Sequence, residues 1–194
     1  MKRTKEDAQQ TREQLLRSAE RLFAEKGLSS ASLMEIVQDA GLSRGAAYWH
    51  FKNKEDLYVE VIRQSLDRMM HSKEQFLRPG GDPRVQLQEL LALPLTMPLE
   101  YTLVNGVAAQ LSAYPQLAQL EELVQQRKLN LKQSVHRFLT DCVAEGRIAV
   151  PSGVETVTQM IFLLFEGLYF HNQERQDVTR DDLGKFLNAI IEFL

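Results

Sequence analysis

Apolar residues recur at three- and four-residue spacing along nearly the whole chain, and no segment shows the strict alternation of a half-buried strand. That pattern constrains the fold to the all-α class. Between Thr11 and Lys26, the residues Leu15, Leu16, Ala19, Leu22 and Phe23 line one helical face, and Gly27 stands where a left-handed C-terminal cap is wanted. Ser32-Leu33-Met34-Glu35 has the form of a capping box. Gly41 ends the short helix it opens, and Ser43 caps another that runs from Arg44 to about Phe51. Asn53 caps a longer helix whose inner side carries Leu57, Val61, Ile62, Leu66 and Met69. Arg78-Pro79-Gly80-Gly81-Asp82-Pro83 is the clearest break. A long helix is expected over 116–145, ended by Gly146. Ser152-Gly153-Val154-Glu155 reads as a second capping box before an apolar helix over 153–173, and Thr179-Arg180-Asp181-Asp182 opens the last helix, over 180–193. About nine helices are expected.

Composition narrows the function. With 44% apolar and 25% charged residues among 194, the chain has material for a real core. No stretch approaches the roughly 20 apolar residues of a membrane span, and no apolar segment follows the basic start Met1-Lys2-Arg3-Thr4-Lys5. The single cysteine, Cys142, rules out an internal disulfide and reads as inert core; a cytoplasmic protein is expected. Net charge is −3, yet residues 1–54 carry ten Lys/Arg against seven Asp/Glu, a modestly basic front on an acidic body. His50, His71, His136 and His171 show no metal-ligand spacing with each other or with Cys142, and the chain has neither a glycine-rich phosphate loop nor a Gly-x-Ser-x-Gly nucleophile turn. No metal, no cofactor and no enzymatic activity are expected.

The most informative segment is a pair of short helices, Leu33–Asp39 and the one after Ser43, joined by Ala40-Gly41-Leu42. Ile36, Val37, Ala40, Leu42 and Ala47 are placed to pack the two against each other, with Gly41 supplying the positive φ of the turn. The second helix projects Arg44, Gly45, Tyr48, Trp49 and His50 outward. Exposed aromatic and basic groups at that density have no folding role, whereas contact with DNA gives them one.

Residues 11–66 resemble the DNA-binding region of the TetR (tetracycline repressor) family, in its AcrR-like branch of multidrug-efflux repressors. The resemblance is carried by Thr11-Arg12, Ala19, Leu22-Phe23, Gly27, Ser32-Leu33, Ile36, Ala40-Gly41-Leu42-Ser43-Arg44-Gly45-Ala46 and above all the run from Tyr48 to Leu57. It implies a helix-turn-helix domain over 1–54 and a helical ligand-binding and dimerisation domain over 55–194. A dimer would set two recognition helices in successive major grooves of a near-palindromic operator, about 34–36 Å apart.

Carried over by position, Arg44 becomes the base-edge contact, bidentate to guanine, with Gly45 and Ala46 allowing close approach. Tyr48, His50, Lys52 and Lys54 become backbone contacts, Ser32, Ser43 and Thr11 add to them, and Trp49 packs on a thymine methyl or a sugar. Ser32 and Ser43 are helix caps first, and Phe51 is expected in the core. The resemblance further implies a homodimer through the helices over 153–173 and 180–193, and a small-molecule effector, hydrophobic or cationic, coupled to DNA through the helix that starts near Lys54. Candidate pocket residues are Met70, Met97, Tyr101, Gln110 and Tyr114, then Phe138, Phe162, Glu166, Tyr169 and Phe170; for each, ordinary bundle core is the competing reading. Glu166 has three: a partner for a cationic drug, a partner for an internal arginine, or a solvated carboxylate. The function implied is a ligand-released repressor of a multidrug efflux operon. The alternatives are a regulator of a metabolic operon, a regulator without a drug ligand and, remotely, a helical enzyme.

Overall fold

The computed structural model describes residues 5–174 and 177–192, without the side chains of Glu74, Tyr169, Asn172, Gln173 and Glu174. Among the described residues there are eleven α-helices, nine of them seven residues or longer, and no strands. They are α1 (Lys5–Ser30), α2 (Leu33–Asp39), α3 (Arg44–His50), α4 (Lys54–Phe76), α5 (Pro83–Leu91), α6 (Leu93–Thr96), α7 (Pro98–Asn105), α8 (Val107–Gln110), α9 (Ala118–Ala144), α10 (Val154–Glu174) and α11 (Arg180–Glu192), with one 3-10 turn at Pro115–Leu117.

Two ends differ from expectation. Helix α1 begins at Lys5, ahead of the apolar face that first signals it, because Lys5 to Gln10 are polar helix formers and Glu6 and Asp7 suit the N-terminal dipole. The helical path breaks at Gly27, with φ 74° and ψ 167°. The second capping box is absent. Gly153, at φ 88°, turns the chain so that Val157 N–H bonds the Gly153 carbonyl at 3.1 Å, while among the described residues the Ser152 hydroxyl has no partner. Glu155 is drawn instead to His136 Nε2 at 3.5 Å and Lys132 Nζ at 3.8 Å. The box opening α11 is present: the Thr179 and Asp182 side chains each accept from the other's backbone N–H, at 3.3 and 3.0 Å.

The chain divides into two compact units, Met1–Asp67 with Thr102–Val124, and Arg68–Tyr101 with Gln125–Leu194. The first has a core of Leu15, Ala19, Phe23, Ile36, Leu57 and Ile62, all fully or nearly fully buried. Each leucine, isoleucine or phenylalanine among them is worth about 1.5–3 kcal/mol of transfer free energy. Phe51 lies in this core, and the Phe23 and Tyr58 rings meet edge to face with centroids 5.2 Å apart. In the second unit α11 packs on α5 and α10 through Leu183, Leu187 and Ile191. Arg84 fixes the first of those pairs, donating to Asn188 Oδ1 at 2.7 Å and pairing with Glu192 at 3.0 Å.

Candidate nucleic-acid interface

Local rules build the α2–α3 pair. The Ser32 hydroxyl accepts from Glu35 N–H at 3.1 Å and Glu35 Oε2 accepts from Ser32 N–H at 2.9 Å, which closes the capping box. That backbone N–H, together with Lys26 Nζ at 3.1 Å, holds the Glu35 carboxyl down at about 2. Gly41 takes φ 65° in the turn, and the Ser43 hydroxyl accepts from Ala46 N–H at 3.3 Å to start α3. Asp39, at the end of α2, is held in its charged form by Ser18 and by an ion pair with Arg21, both on α1.

Helix α3 has two unlike sides. Ala46 and Ala47 are buried beneath it, small enough to let α1 and α2 come close. Arg44, Gly45, Tyr48 and Trp49 face outward, Tyr48 at 49% and Trp49 at 70% exposure. The Arg44 guanidinium lies over the Tyr48 ring, 5.4 Å from its centroid, and the Trp49 indole meets the His50 ring edge to face at 4.5 Å. Stacking of this kind orders an exposed cation without neutralising it. Gly45 has nothing within 4 Å of the position a Cβ would occupy, so nothing inside the protein requires glycine there. Lys52 is exposed beyond the helix.

Three residues expected at this surface are engaged elsewhere. Thr11 is buried, its hydroxyl donating to the Asp7 carbonyl at 2.8 Å, because it lies on the inner face of α1. Ala46 is packing rather than contact surface. Lys54 Nζ donates to three carbonyls, Leu28 at 2.8 Å, Ala31 at 3.2 Å and Ser29 at 3.3 Å, and sits 5.8 Å from the Tyr114 ring centroid. Those carbonyls follow the break at Gly27, at the C-terminal end of α1, where the last carbonyls lack ladder donors. The ammonium supplies the donors they lack.

The candidate pocket residues are divided between the two units. Met70 and Phe138 line a cavity of about 340 Å3 in the second unit. Tyr101 is buried, which pushes its phenol well above the ordinary value. Met97 accepts from the Ser72 hydroxyl at 3.7 Å, and the Phe162 ring lies 5.8 Å from that of Phe165. Gln110 and Tyr114 belong to the first unit. Glu166 is exposed, as is Phe170 at 69%. The side chain of Tyr169 lies outside the described residues. Sequence reasoning passed over Lys73, Arg137 and Arg147, which line the same cavity as Met70 and Phe138.

Comparison with known proteins agrees with this architecture. The N-terminal family model described as "Bacterial regulatory proteins, tetR family" matches residues 15–61. The regulator AcrR of Shigella flexneri is 43% identical over 91 residues, 46% of this chain and 42% of that one. A probable acrEF/envCD operon repressor of Escherichia coli K12 is 31% identical over 176 residues, covering 86% of this chain and 78% of its own length. Among solved structures, the MbdR regulator of Azoarcus sp. CIB superposes with a TM-score of 0.74 over 95% of this chain and 98% of that one, at 19% identity. An exposed aromatic and cationic α3 set by a capped α2 and a glycine turn, continuous similarity through most of the chain, and a shared helical fold have one common explanation: the chain belongs to the TetR family of DNA-binding transcriptional regulators, in its AcrR-like branch.

Proposed function

We propose that this repressor binds a near-palindromic operator as a homodimer and is released by a small hydrophobic molecule, with residues 1–54 reading DNA and 55–194 sensing and dimerising. The observation that carries the DNA-reading half is the division of α3, whose inner side is alanine and whose outer side is Arg44, Gly45, Tyr48 and Trp49. Arg44 reads a guanine edge, while Tyr48, His50 and Lys52 hold phosphates and sugars and Trp49 packs beside them. The open space over Gly45 suits a groove wall at van der Waals distance. Dimerisation runs through α10 and α11, where Leu163, Gly167 and Phe170 recur at helical spacing on exposed surface and Phe186 is exposed on α11.

Release by a ligand is linkage. If effector and operator favour different spacings of the two α3 helices, each weakens the other's binding by the same factor. Helix α4 is the element through which the coupling runs, since its sequence contributes Leu57 and Val61 to one unit and Met70 to the other. The names of the relatives support an operon of the kind AcrR-like regulators control, a multidrug efflux operon. Selection of bound DNA from a random pool, followed by titration of the winning site with lipophilic compounds, tests the reading. An enriched palindrome released by one compound class is the expected result. Absence of any enriched sequence at moderate salt overturns the DNA-reading half, and a palindrome that none of the compounds releases overturns the sensing half.

A further inference from the structure

The second unit encloses a lysine where an apolar side chain would be expected. Lys73, near the end of α4, is only 7% exposed and lines the 340 Å3 cavity together with Met70, Leu77, Leu131, Phe138 and Cys142. Lysine is among the residues least often buried without a partner, because an uncompensated ammonium in an apolar setting is costly. Among the described residues no carboxylate forms an ion pair with Lys73, which lines the cavity and feels no opposite charge. The charges that act on it are Lys128 and Arg127, which repel it. Burial and those two cations pull the lysine down to about 8, so at neutral pH it is still mostly an ammonium, held without a counter-charge.

The rest of the wall does not supply that counter-charge. Glu145 is paired with Arg147 at 3.0 Å, and Arg147 also donates to the Gly81 carbonyl at 2.8 Å. Arg137 and Asp141 are exposed residues at the edge of the cavity, and Cys142 is a buried thiol that burial keeps protonated. The cavity therefore joins an apolar body to one buried, unmatched positive charge. Its volume lies in the range of small-molecule sites, and a few polar anchors in an apolar wall is how such sites orient a ligand.

We infer that this cavity takes an amphipathic monoanion, with a carboxylate set against Lys73 Nζ and an apolar chain or ring along Met70, Leu77, Leu131 and Phe138. The inference rests on the ligand-sensing reading above and narrows it, excluding a lipophilic cation as the occupant. A cation would meet Lys73 directly, with Lys128 and Arg127 adding to the repulsion. A neutral ligand would fill the volume and leave the ammonium as costly as before.

Calorimetric titration of the full chain tests this with three probes on the same alkyl chain, decanoate, decanol and decyltrimethylammonium, each kept below its micelle concentration. A charge-assisted hydrogen bond gained only by the anion corresponds to decanoate binding about tenfold to a hundredfold tighter than the other two. Lys73→Met removes that advantage while leaving decanol affinity within about twofold, since the cavity wall stays apolar. Lys132→Met, the same charge change on α9 outside the cavity, leaves decanoate affinity unaltered. Decanoate binding no tighter than decanol or the ammonium, or binding indifferent to Lys73→Met, overturns the inference. Operator release by the ammonium with no Lys73-dependent decanoate binding leaves the sensor standing and removes the anion site. Lys73-dependent decanoate binding that fails to release the operator does the reverse.

Discussion

The surface of α3 and the cavity beside Lys73 are both cationic and both partly aromatic or apolar, yet they are assembled in opposite ways. The local devices that shape α3 lie within about twenty residues of sequence: the Ser32–Glu35 box, the Gly41 turn, the Ser43 cap and the alanines beneath. Its exposed cation, Arg44, is solvated and stacked on Tyr48, so it costs the folded state little. The cavity draws on α4, α9 and the loops at Pro79 and Arg147, residues up to 77 positions apart in sequence between Met70 and Arg147. Its cation is buried and, among the described residues, has no carboxylate paired with it. One charge stays in water; the other is held where burial disfavours it. Removing the charge should therefore cost binding alone at the first site and should increase stability at the second.

The largest expected effect is at α3. Arg44→Ala should weaken the selected operator by about 1–3 kcal/mol at each half-site and relax the base preference there. Thermal unfolding should move little, because Arg44 is exposed and stacked on Tyr48. Fluorescence anisotropy on matched and mismatched duplexes measures the first, and calorimetry the second. A loss of affinity equal on all sequences would demote Arg44 from base reader to phosphate contact.

At the cavity the sign reverses. Lys73 has an ordinary value of 10.5 and stands near 8 in the folded chain. The unfolded state therefore binds more protons between those values, and stability rises with pH through that window. Below about 8 both states are charged and the burial penalty is present in full. Above 10.5 both are neutral and it is gone. The groups that surround Lys73 are Lys128, Arg127, Arg137, Arg147, Asp141, Glu145 and the Cys142 thiol, which burial pushes up from its ordinary value. Lys73→Met should stabilise the ligand-free protein at pH 7 by about 3 kcal/mol and flatten the rise between pH 8 and 10.5. Denaturant titration at a series of pH values reads both. A destabilised Met variant would mean that the ammonium has a favourable partner and would erase the contrast between the two sites.

Much of this was legible in the sequence, and unevenly so. The all-α class, the α2–α3 pair and the outward set Arg44, Tyr48 and Trp49 follow from periodicity and capping, which are local. The start of α1 was missed because its first turns are polar all round and carry no periodic signal. The box at Ser152 matched in residue type alone, and Gly153 bent the chain away from it. The family resemblance implies a phosphate contact for Lys54; only the fold brings it to the carbonyls of Leu28, Ser29 and Ala31. The cavity depends on packing between distant segments, so aromatic residues scattered over α7 to α10 were equal candidates for it. One signal was available: Ile62, Leu66, Met69 and Lys73 fall at i, i+4, i+7 and i+11, which puts the lysine on the buried stripe of α4.

Lys54 and Arg44 can be separated on the same grounds. Lys54→Met strips three carbonyls of their donor, two of them part-buried, and should destabilise the protein by about 2 kcal/mol. Operator affinity measured well below the unfolding temperature should fall far less than in Arg44→Ala. If instead affinity falls and stability holds, the ammonium leaves those carbonyls for a phosphate when DNA binds.

The smallest expected effect concerns the cap that positions α3. Ser32→Ala removes the acceptor for Glu35 N–H at a largely exposed helix start and should cost about 1 kcal/mol. Glu35 still accepts from Ser32 N–H in the wild type, and that bond with Lys26 keeps its carboxylate charged down to about 2. Its folded value lies below the ordinary 4.5, so the stability it contributes is present above 4.5 and is lost as pH falls from there toward 2. The alanine at position 32 retains its backbone N–H, so the variant should keep most of that acid sensitivity while being less stable throughout. A variant that lost both the cap energy and the acid sensitivity would show that the two halves of the box form only together. The orientation of α2, and with it the outward face of α3, would then hang on a single hydroxyl, and operator affinity should fall along with stability. If the acid sensitivity survives, the backbone bond alone fixes α2, and Ser32 is free to turn its hydroxyl toward a DNA phosphate.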